Sequence, residues 1–332
     1  MANHRRINSL LKANNDTGFS NKSDIASSRF VNKDGTFNLQ KTGLGIINRF
    51  SIFQFMLTIP RWQFMGVILS FYIIINLLFT SVYLLVGTDQ LQGMISAAPW
   101  VKFKEVFYFS TQTFTTVGYG RVNPVGDAVN IIASIESLSG LLSLAIATGL
   151  IYGRFARPKA HLLFSEHALI SPFKGKTALM FRFVNYKNNH SLTNVEIKVN
   201  VGMKVQTDGE ATYQYYTLTL ERDRVESMPM SWTVVHPIDE NSPFNGFTHE
   251  DMKTADVELF AQIRGYDDIF SDMVQQRSSY TYHEILFNRK FSKMFHESED
   301  GQTTILELDK LSHHQEAKIP VVQPEFSAVS AS

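Results

Sequence analysis

The chain of 332 residues contains no cysteine, which excludes disulfide bonds, thiolate metal sites and a cysteine nucleophile. It also lacks an excess of charge of either sign, since 31 basic residues balance 31 acidic ones, and this balance gives no reason to expect nucleic-acid binding. The HExxH, GxSxG, P-loop and dinucleotide-binding patterns are absent, and the histidines at 161, 167, 236, 249, 283 and 296 have no metal-ligand spacing. We therefore expect neither an enzyme nor a cofactor.

Two long apolar runs stand out in the first half of the chain. Residues 64–87 carry no charge, and residues 128–152 are interrupted only by Glu136. At 1.5 Å per residue, each run can cross a hydrocarbon layer of about 30 Å. Between them, residues 103–114 are apolar and aromatic but only about half a spanning length. The sequence thus predicts two transmembrane helices on either side of a re-entrant helix.

The predicted re-entrant helix is followed by the motif Thr116-Val117-Gly118-Tyr119-Gly120. Its glycines permit backbone angles that are closed to other residues, so that successive carbonyl oxygens can face one axis. Four such strands would replace the hydration shell of a potassium ion, which predicts a homotetramer with K⁺ as the permeant ion and the only metal. The alternative is a Gly-Tyr-Gly turn in a soluble loop, and the apolar flanks favour the filter.

The positions of basic residues predict the orientation in the membrane. Lys41, Arg49 and Arg61 precede the first apolar run, and Arg154, Arg157 and Lys159 follow the second. By the positive-inside rule, both termini should be cytoplasmic in a multi-pass protein of the cell (inner) membrane. The first sixty residues are polar and mixed, with no visible cleavable signal peptide.

The remaining sequence suggests four regions. Residues 1–45 are predicted as an extended or mobile cytoplasmic segment, and 46–157 as a pore domain that includes an interfacial helix over 50–62. An ordinary amphipathic helix packed on protein is the alternative for 50–62. Residues 158–310 alternate with period two over 178–184, 195–205, 213–220, 231–236, 256–263 and 280–286. The number and spacing of these strands fit an immunoglobulin-like β-sandwich, although composition alone does not separate it from a barrel. Residues 311–332 are predicted as a disordered tail.

Several further segments match a known family, namely RFVNKDG at 29–35, RW at 61–62, RFARPK at 154–159, VHPIDENSP at 235–243 and RSSY at 277–280. With the filter motif, they make the chain resemble inward rectifier potassium channels, most closely the prokaryotic, KirBac-like branch. The likeness runs from about residue 29 to residue 308. It implies an α + β membrane protein in which a two-span potassium-channel pore is joined to a cytoplasmic immunoglobulin-like β-sandwich.

The resemblance also implies roles for single residues of the pore. Glu136 matches a cavity-facing position, where four carboxylates would attract Mg²⁺ or polyamines as blockers; alternatively, Glu136 forms hydrogen bonds behind the filter. The acid that controls rectification in the family aligns with Leu144, so we expect weak rectification. Leu144, Thr148 and Tyr152 correspond to pore-lining positions, with Leu144 and Tyr152 as constrictions. The segment formed by Gly265, Tyr266 and the residues through Ser271 aligns with a cytoplasmic constriction, and Gly140 and Gly149 are either flexible points or sites of close helix packing.

In the same family, basic residues near the membrane surface meet anionic lipids, including phosphoinositides. The corresponding residues are Arg61, Trp62, Arg154, Arg157 and Lys159, with Lys174 and Lys176 as a second contact. The leading hypothesis is a potassium channel gated by its cytoplasmic domain and by lipid. The alternative is a membrane-tethered sensor or binding module that does not conduct, while an enzyme with a membrane anchor is disfavoured by the missing catalytic motifs.

Overall fold

The computed structural model describes residues 29–40, 42, 43, 45, 51–96, 98–188, 191–207 and 210–320. These residues divide at 41/42 and again at 157/158 into two compact units. We call the part between these divisions the helical unit. The described residues on both sides of it, 29–40 and 158–320, form the β unit.

The helical unit contains the two spans that the sequence predicts. The helices are α1 (Ile52–Thr58), α2 (Arg61–Val86), α3 (Pro99–Phe114) and α4 (Asp127–Phe155), with the short strands β1 (Leu91–Gln92) and β2 (Asn123–Pro124) between them. α2 and α4 have mean hydropathies of 2.2 and 1.7 over their most apolar windows, and each is long enough to cross a membrane. α3, with 16 residues, is too short to do so.

Local sequence signals explain where these helices begin and end. The Ser51 side chain accepts a hydrogen bond from the amide of Gln54 and caps α1, and Pro60 separates α1 from α2. Gly87, with a φ of 111°, ends α2. Proline at the first position of α3 has no amide hydrogen to leave unpaired. An apolar cluster joins α2, α3 and α4; its buried members are Phe79, Tyr83, Leu91, Val106, Phe109, Val122 and Val129.

The β unit consists of two five-stranded sheets with small peripheral ones. The strands and the single α-helix described in this unit are β3 (Leu162–Phe164), β4 (Ala168–Phe173), β5 (Lys176–Asn185), β6 (Leu192–Thr207), β7 (Glu210–Thr217), β8 (Arg224–Met228), β9 (Trp232–Ile238), α5 (His249–Thr254), β10 (Glu258–Asp267), β11 (Asp272–Thr281), β12 (Ile285–Phe287), β13 (Arg289–Phe291), β14 (Phe295–Glu297), β15 (Thr304–Leu306) and β16 (His314–Glu316). One five-stranded sheet has the order β11-β10-β6-β7, with β8 also paired to β6, and the other has the order β12-β4-β5-β3, with β9 also paired to β5. Among these described strands, all pairs are antiparallel except β12 with β4.

The core of the β unit lies between the two large sheets. Phe181 and Phe183 on β5 and Ile197 and Val199 on β6 belong to one buried cluster. On β6, Val195, Ile197 and Val199 are buried while the intervening Glu196 and Lys198 are exposed, as the strict alternation predicts. The β-sandwich expected from the sequence is therefore present.

The structure differs from the sequence expectation at both ends of the β unit. Within the predicted tail, Leu311 is buried and β16 pairs with β13, so residues 311–316 are ordered; residues 321–332 lie outside the described part. At the other end, residues 30–38 form a turn with a bridge between Val31 and Phe37, packed on the β unit. Residues 1–28, also predicted to be extended or mobile, lie outside the described part.

Candidate functional site

The predicted filter follows the C-terminal end of α3 and has a distinctive backbone conformation. Thr116, Gly118 and Gly120 have positive φ angles of 60°, 54° and 80°, whereas Val117 and Tyr119 do not. The amides of Val117 and Gly118 both donate to the carbonyl of Gln112, at 2.9 and 3.2 Å. All five residues are exposed in the single chain, and the Tyr119 side chain is 79% exposed.

Along residues 116–120, left-handed backbone conformations with positive φ alternate with right-handed ones. In a regular strand, successive residues of one handedness turn their carbonyl groups to opposite sides. When the handedness alternates from residue to residue, successive carbonyls turn to the same side. The glycines at 118 and 120 make two of the three left-handed positions sterically inexpensive. The segment can therefore present a row of carbonyl oxygens to a dehydrated cation.

Glu136 lies behind α3, inside the helical unit. Its side chain is fully buried and accepts hydrogen bonds from the Tyr83 hydroxyl of α2 at 2.6 Å and from the Ser110 hydroxyl of α3 at 2.5 Å. Ser110 is also within 3.2 Å of the side-chain oxygen of Asn76. The expectation of a cavity-facing carboxylate is therefore wrong for this chain, and the alternative, a hydrogen-bonded residue behind the filter, matches the structure.

The pitch of α4 explains why Glu136 does not share a face with the other pore positions. A step of four residues on an α-helix advances about 40° around the axis, so Leu144, Thr148 and Tyr152 span about 80°, and Glu136 lies about 120° from Thr148 at the middle of that stripe. Leu144, Thr148 and Tyr152 are all exposed in the single chain. Gly140 belongs to the buried side, because a Cβ atom there would lie 1.8 Å from the carbonyl oxygen of Phe114. It is a site of close helix packing, whereas Gly149 has no atom within 4 Å of the same position.

Arg154 has a role that the sequence did not indicate. Its guanidinium donates to the carbonyls of Met56 and Ile59 at 2.7 and 2.8 Å, and it lies 4.5 Å from the centre of the Phe64 ring. The side chain thus joins the end of α4 to the end of α1 and the start of α2. These two hydrogen bonds use part of the guanidinium's five N–H donors, and the expected contact of Arg154 with lipid stays a prediction.

The other predicted lipid contacts are mostly exposed. Arg61, Arg157 and Lys159 are exposed, and the Trp62 side chain is 89% exposed. In the β unit, Lys176 is exposed, whereas Lys174 forms an ion pair with Glu221. On α1, Ile52, Phe53 and Phe55 are exposed while Met56 and Leu57 are buried. Of the predicted interfacial segment, Phe50 lies outside the described residues.

The segment that is predicted to form a cytoplasmic constriction lies in a β-hairpin. Gly265 is buried and lies with Tyr266 in β10, next to an irregularity in the pairing with β6. Only residues 268–271 connect β10 to β11, and Ser271 has a φ of 51°. The Asp267 carboxylate accepts hydrogen bonds from the amides of Ile269 and Phe270, so it stabilises the turn from within the β unit.

Residues 29–33, part of the segment that resembles the family, form a clasp on the sheets of the β unit. Arg29 makes two hydrogen bonds to the Glu284 carboxylate, at 2.7 and 3.2 Å, and the amides of Phe30 and Val31 donate to Glu258. The ammonium group of Lys33 lies 3.7 Å from the centre of the Tyr280 ring. Burial lowers the pKa of Lys33 to about 8, although the Glu284 charge opposes this shift.

The described residues offer little for catalysis or metal binding. Within them, no three histidine, aspartate or glutamate side chains lie close enough together to hold a metal ion. His236 is buried; its Nδ1 lies 2.6 Å from the Thr219 carbonyl and its Nε2 lies 2.8 Å from the Ser242 hydroxyl. Burial lowers the pKa of His236. We therefore interpret His236 as a structural residue that is neutral at pH 7.

Comparison with known proteins agrees with both halves of this arrangement. Residues 162–331 match the family model of the inward rectifier potassium channel C-terminal domain, and residues 67–156 match an ion channel model. The inward rectifier potassium channel Kirbac3.1 of Paramagnetospirillum magnetotacticum is 34% identical over 83% of this chain and 92% of its own. The ATP-sensitive inward rectifier potassium channel 12 of Gallus gallus is 26% identical over 82% of this chain and 68% of its own. The chain therefore belongs to the inward rectifier potassium channel family and is an ion channel, not an enzyme.

Proposed function

We propose that the chain forms a potassium-selective channel of the inward rectifier type, with Thr116–Gly120 as its filter. The observation that carries this proposal is the alternating backbone of residues 116–120 at the end of a half-length helix, between two spans. Four copies are required, because one strand supplies only a quarter of each oxygen cage. Residues 46–157 would conduct and residues 158–310 would gate, with both termini in the cytoplasm and the pore in the inner membrane.

We assign the conduction path below the filter to the exposed stripe of α4. Leu144, Thr148 and Tyr152 line it, and the side chains of Leu144 and Tyr152 are wide enough to narrow and dewet the pore and so block ions. In the cytoplasmic part, the hairpin around Gly265, Tyr266 and Ser271 would form a second constriction. This stripe of α4 has no acidic side chain, because Glu136 faces inward, so rectification by Mg²⁺ or polyamines should be weak.

We assign regulation by anionic lipid, including phosphoinositides, to the exposed cations. In the helical unit these are Arg61 and Arg157, with Trp62 suited to the interface, and in the β unit they are Lys159 and Lys176. Each cation near an anionic leaflet contributes about 1 kcal/mol to binding. Arg154 and Lys174 are weaker candidates, because both already have partners within the chain.

The test is rubidium uptake into liposomes that contain the purified full chain, with and without phosphoinositide. Gly118→Ala should abolish uptake, because an alanine at a φ of 54° is strained by about 1–2 kcal/mol at a position repeated four times. Gly66→Ala is the matched control: neither glycine has an atom within 4 Å of the added Cβ, but Gly66 lies in α2 without a positive φ. Equal uptake by both variants, or no selective uptake by the wild type, would refute the assignment.

A further inference from the structure

The residue that follows the filter is held by a buried carboxylate. Nη1 of Arg121 donates to Oε1 of Glu105 at 2.8 Å and to the carbonyl of Gly93 at 3.3 Å. The other oxygen of Glu105 accepts from the amide of Ile95 at 3.0 Å. The Glu105 side chain is only 6% exposed, whereas that of Arg121 is 49% exposed. One carboxylate on α3 therefore connects two other segments, the loop at 93–95 and the end of the filter.

The backbone on this side of the filter is fixed by other contacts as well. β1 and β2 pair Leu91 with Pro124 and Gln92 with Asn123, and the Val125 amide donates to the Gln90 carbonyl at 2.9 Å. Gly93, with a φ of 93°, passes so close to the chain that a Cβ atom would lie 1.8 Å from the Arg121 carbonyl oxygen. Residues 123–125 are thus joined to residues 90–92 by backbone hydrogen bonds.

The filter segment itself has few other contacts within the described part of the single chain. All residues from Thr116 to Gly120 are exposed. At one end, the segment is anchored by the hydrogen bonds from Val117 and Gly118 to the Gln112 carbonyl. At the other end, the ion pair between Glu105 and Arg121 is the contact that joins the residue after Gly120 to α3. The position of the Gly120 end relative to α3 therefore depends on this pair as well as on the pairing of β1 with β2.

We propose that Glu105 and Arg121 are positioning residues that set the geometry of the filter at its Gly120 end and thereby its selectivity. The proposal rests on the assignment of residues 116–120 as the filter. Neither side chain contacts the ion; both act through the backbone of Arg121. The two residues are not equivalent, because loss of Arg121 leaves a charge at Glu105 that is nearly excluded from water, whereas loss of Glu105 leaves a half-exposed cation.

The experiment compares rubidium and sodium uptake into liposomes for full-length Glu105→Gln, Arg121→Gln, the double variant and Arg121→Lys. Asp127→Asn is the matched control, since it also changes a carboxylate to an amide in the helical unit, but at an exposed position in the first turn of α4. We expect each glutamine variant to lower the rubidium-to-sodium ratio by about threefold to tenfold. The double variant should be no worse than the poorer single variant, Arg121→Lys should be intermediate, and Asp127→Asn should match the wild type.

Several outcomes would overturn the proposal. These are an unchanged ratio in both glutamine variants, losses that multiply in the double variant, or an equal loss in Asp127→Asn, which would indicate a general effect of charge near the pore. If the glutamine variants do not assemble as tetramers, Arg121→Lys decides: a ratio below that of the wild type supports the proposal, and an equal ratio refutes it. The two assignments can fail separately. If Gly118→Ala abolishes the selective uptake of the wild type but Glu105→Gln and Arg121→Gln keep the wild-type ratio of rubidium to sodium uptake, the filter assignment stands and only the positioning role is refuted.

Discussion

The contact of Arg154 with the carbonyls of α1 leads to a prediction about how firmly that helix is held. An isolated helix of seven residues is not stable in water, so the order of α1 depends on its anchors. The two hydrogen bonds from the guanidinium contribute about 1.5–3 kcal/mol each, and the contact with the Phe64 ring about 0.5–1 kcal/mol. Because Arg154 is only half-buried, we reduce the total to about 2–3 kcal/mol, which corresponds to a 30- to 150-fold change in the opening equilibrium.

The perturbation is Arg154→Gln, and the assay is hydrogen–deuterium exchange by mass spectrometry on a peptide that covers residues 51–59. Exchange of amides such as Phe55 and Ile59, which donate within α1, should accelerate by about that factor if opening and closing are fast. Arg157→Gln is the control, since Arg157 is an exposed cation three residues further along.

The same experiment separates the contact with α1 from a contact with lipid. If the carbonyl contacts hold α1, the acceleration will persist in vesicles made only of zwitterionic lipid. If Arg154 instead acts through lipid headgroups, the acceleration will require anionic lipid. Unchanged exchange at residues 51–59, acceleration only with anionic lipid, or an equal effect of Arg157→Gln would refute the reasoning.

Three further predictions concern single side chains. Leu144→Asp should convert weak block by internal spermine into strong block in current–voltage curves, whereas Leu144→Asn should not, since only the aspartate adds charge to the exposed stripe of α4. Tyr83→Phe should lower the thermal midpoint of the tetramer more than Tyr108→Phe at an exposed position, because loss of a hydrogen bond to the buried Glu136 costs about 1–3 kcal/mol. Burial lowers the pKa of His236 below its ordinary value of 6.5, so the unfolded state takes up a proton before the folded state does, and stability is lost as the pH falls below about 6.5. The thermal midpoint should therefore drop less between pH 7.5 and 5.5 in His236→Gln than in the wild type.

The elements that the sequence predicted correctly are those with a strong local pattern. The two spans and the half-length helix between them follow from runs of apolar residues, and β6 follows from its strict alternation. The missed strands are short, such as β13 and β16 with three residues each, and they depend on partners far away in the chain. The clasp of Arg29 on Glu284 was missed for the same reason, since 255 residues separate the two.

For the candidate site, the sequence identified the residue types but not all of their directions. The filter residues, the exposed stripe of α4 and the basic residues near the span ends were named from motif and family resemblance. Glu136 is rotated by about 120° from Thr148, but this spacing alone does not say which side of α4 faces the other helices. The partners of Arg154 are backbone carbonyls, which leave no trace in the residue types of a sequence.

The contacts of the helical unit explain why its charged residues do not line the exposed stripe of α4. An ionised side chain within a span is costly unless it has partners, and Glu136 and Arg154 satisfy this requirement with groups of their own chain. Their charge is thereby removed from the face that carries Leu144, Thr148 and Tyr152. An ion on that face would meet apolar side chains and a threonine hydroxyl that already donates to the Leu144 carbonyl. If this face lines the conduction path and residues 116–120 form the filter, as we propose, selection between cations depends on the backbone carbonyls of residues 116–120 and on the rigidity of that backbone.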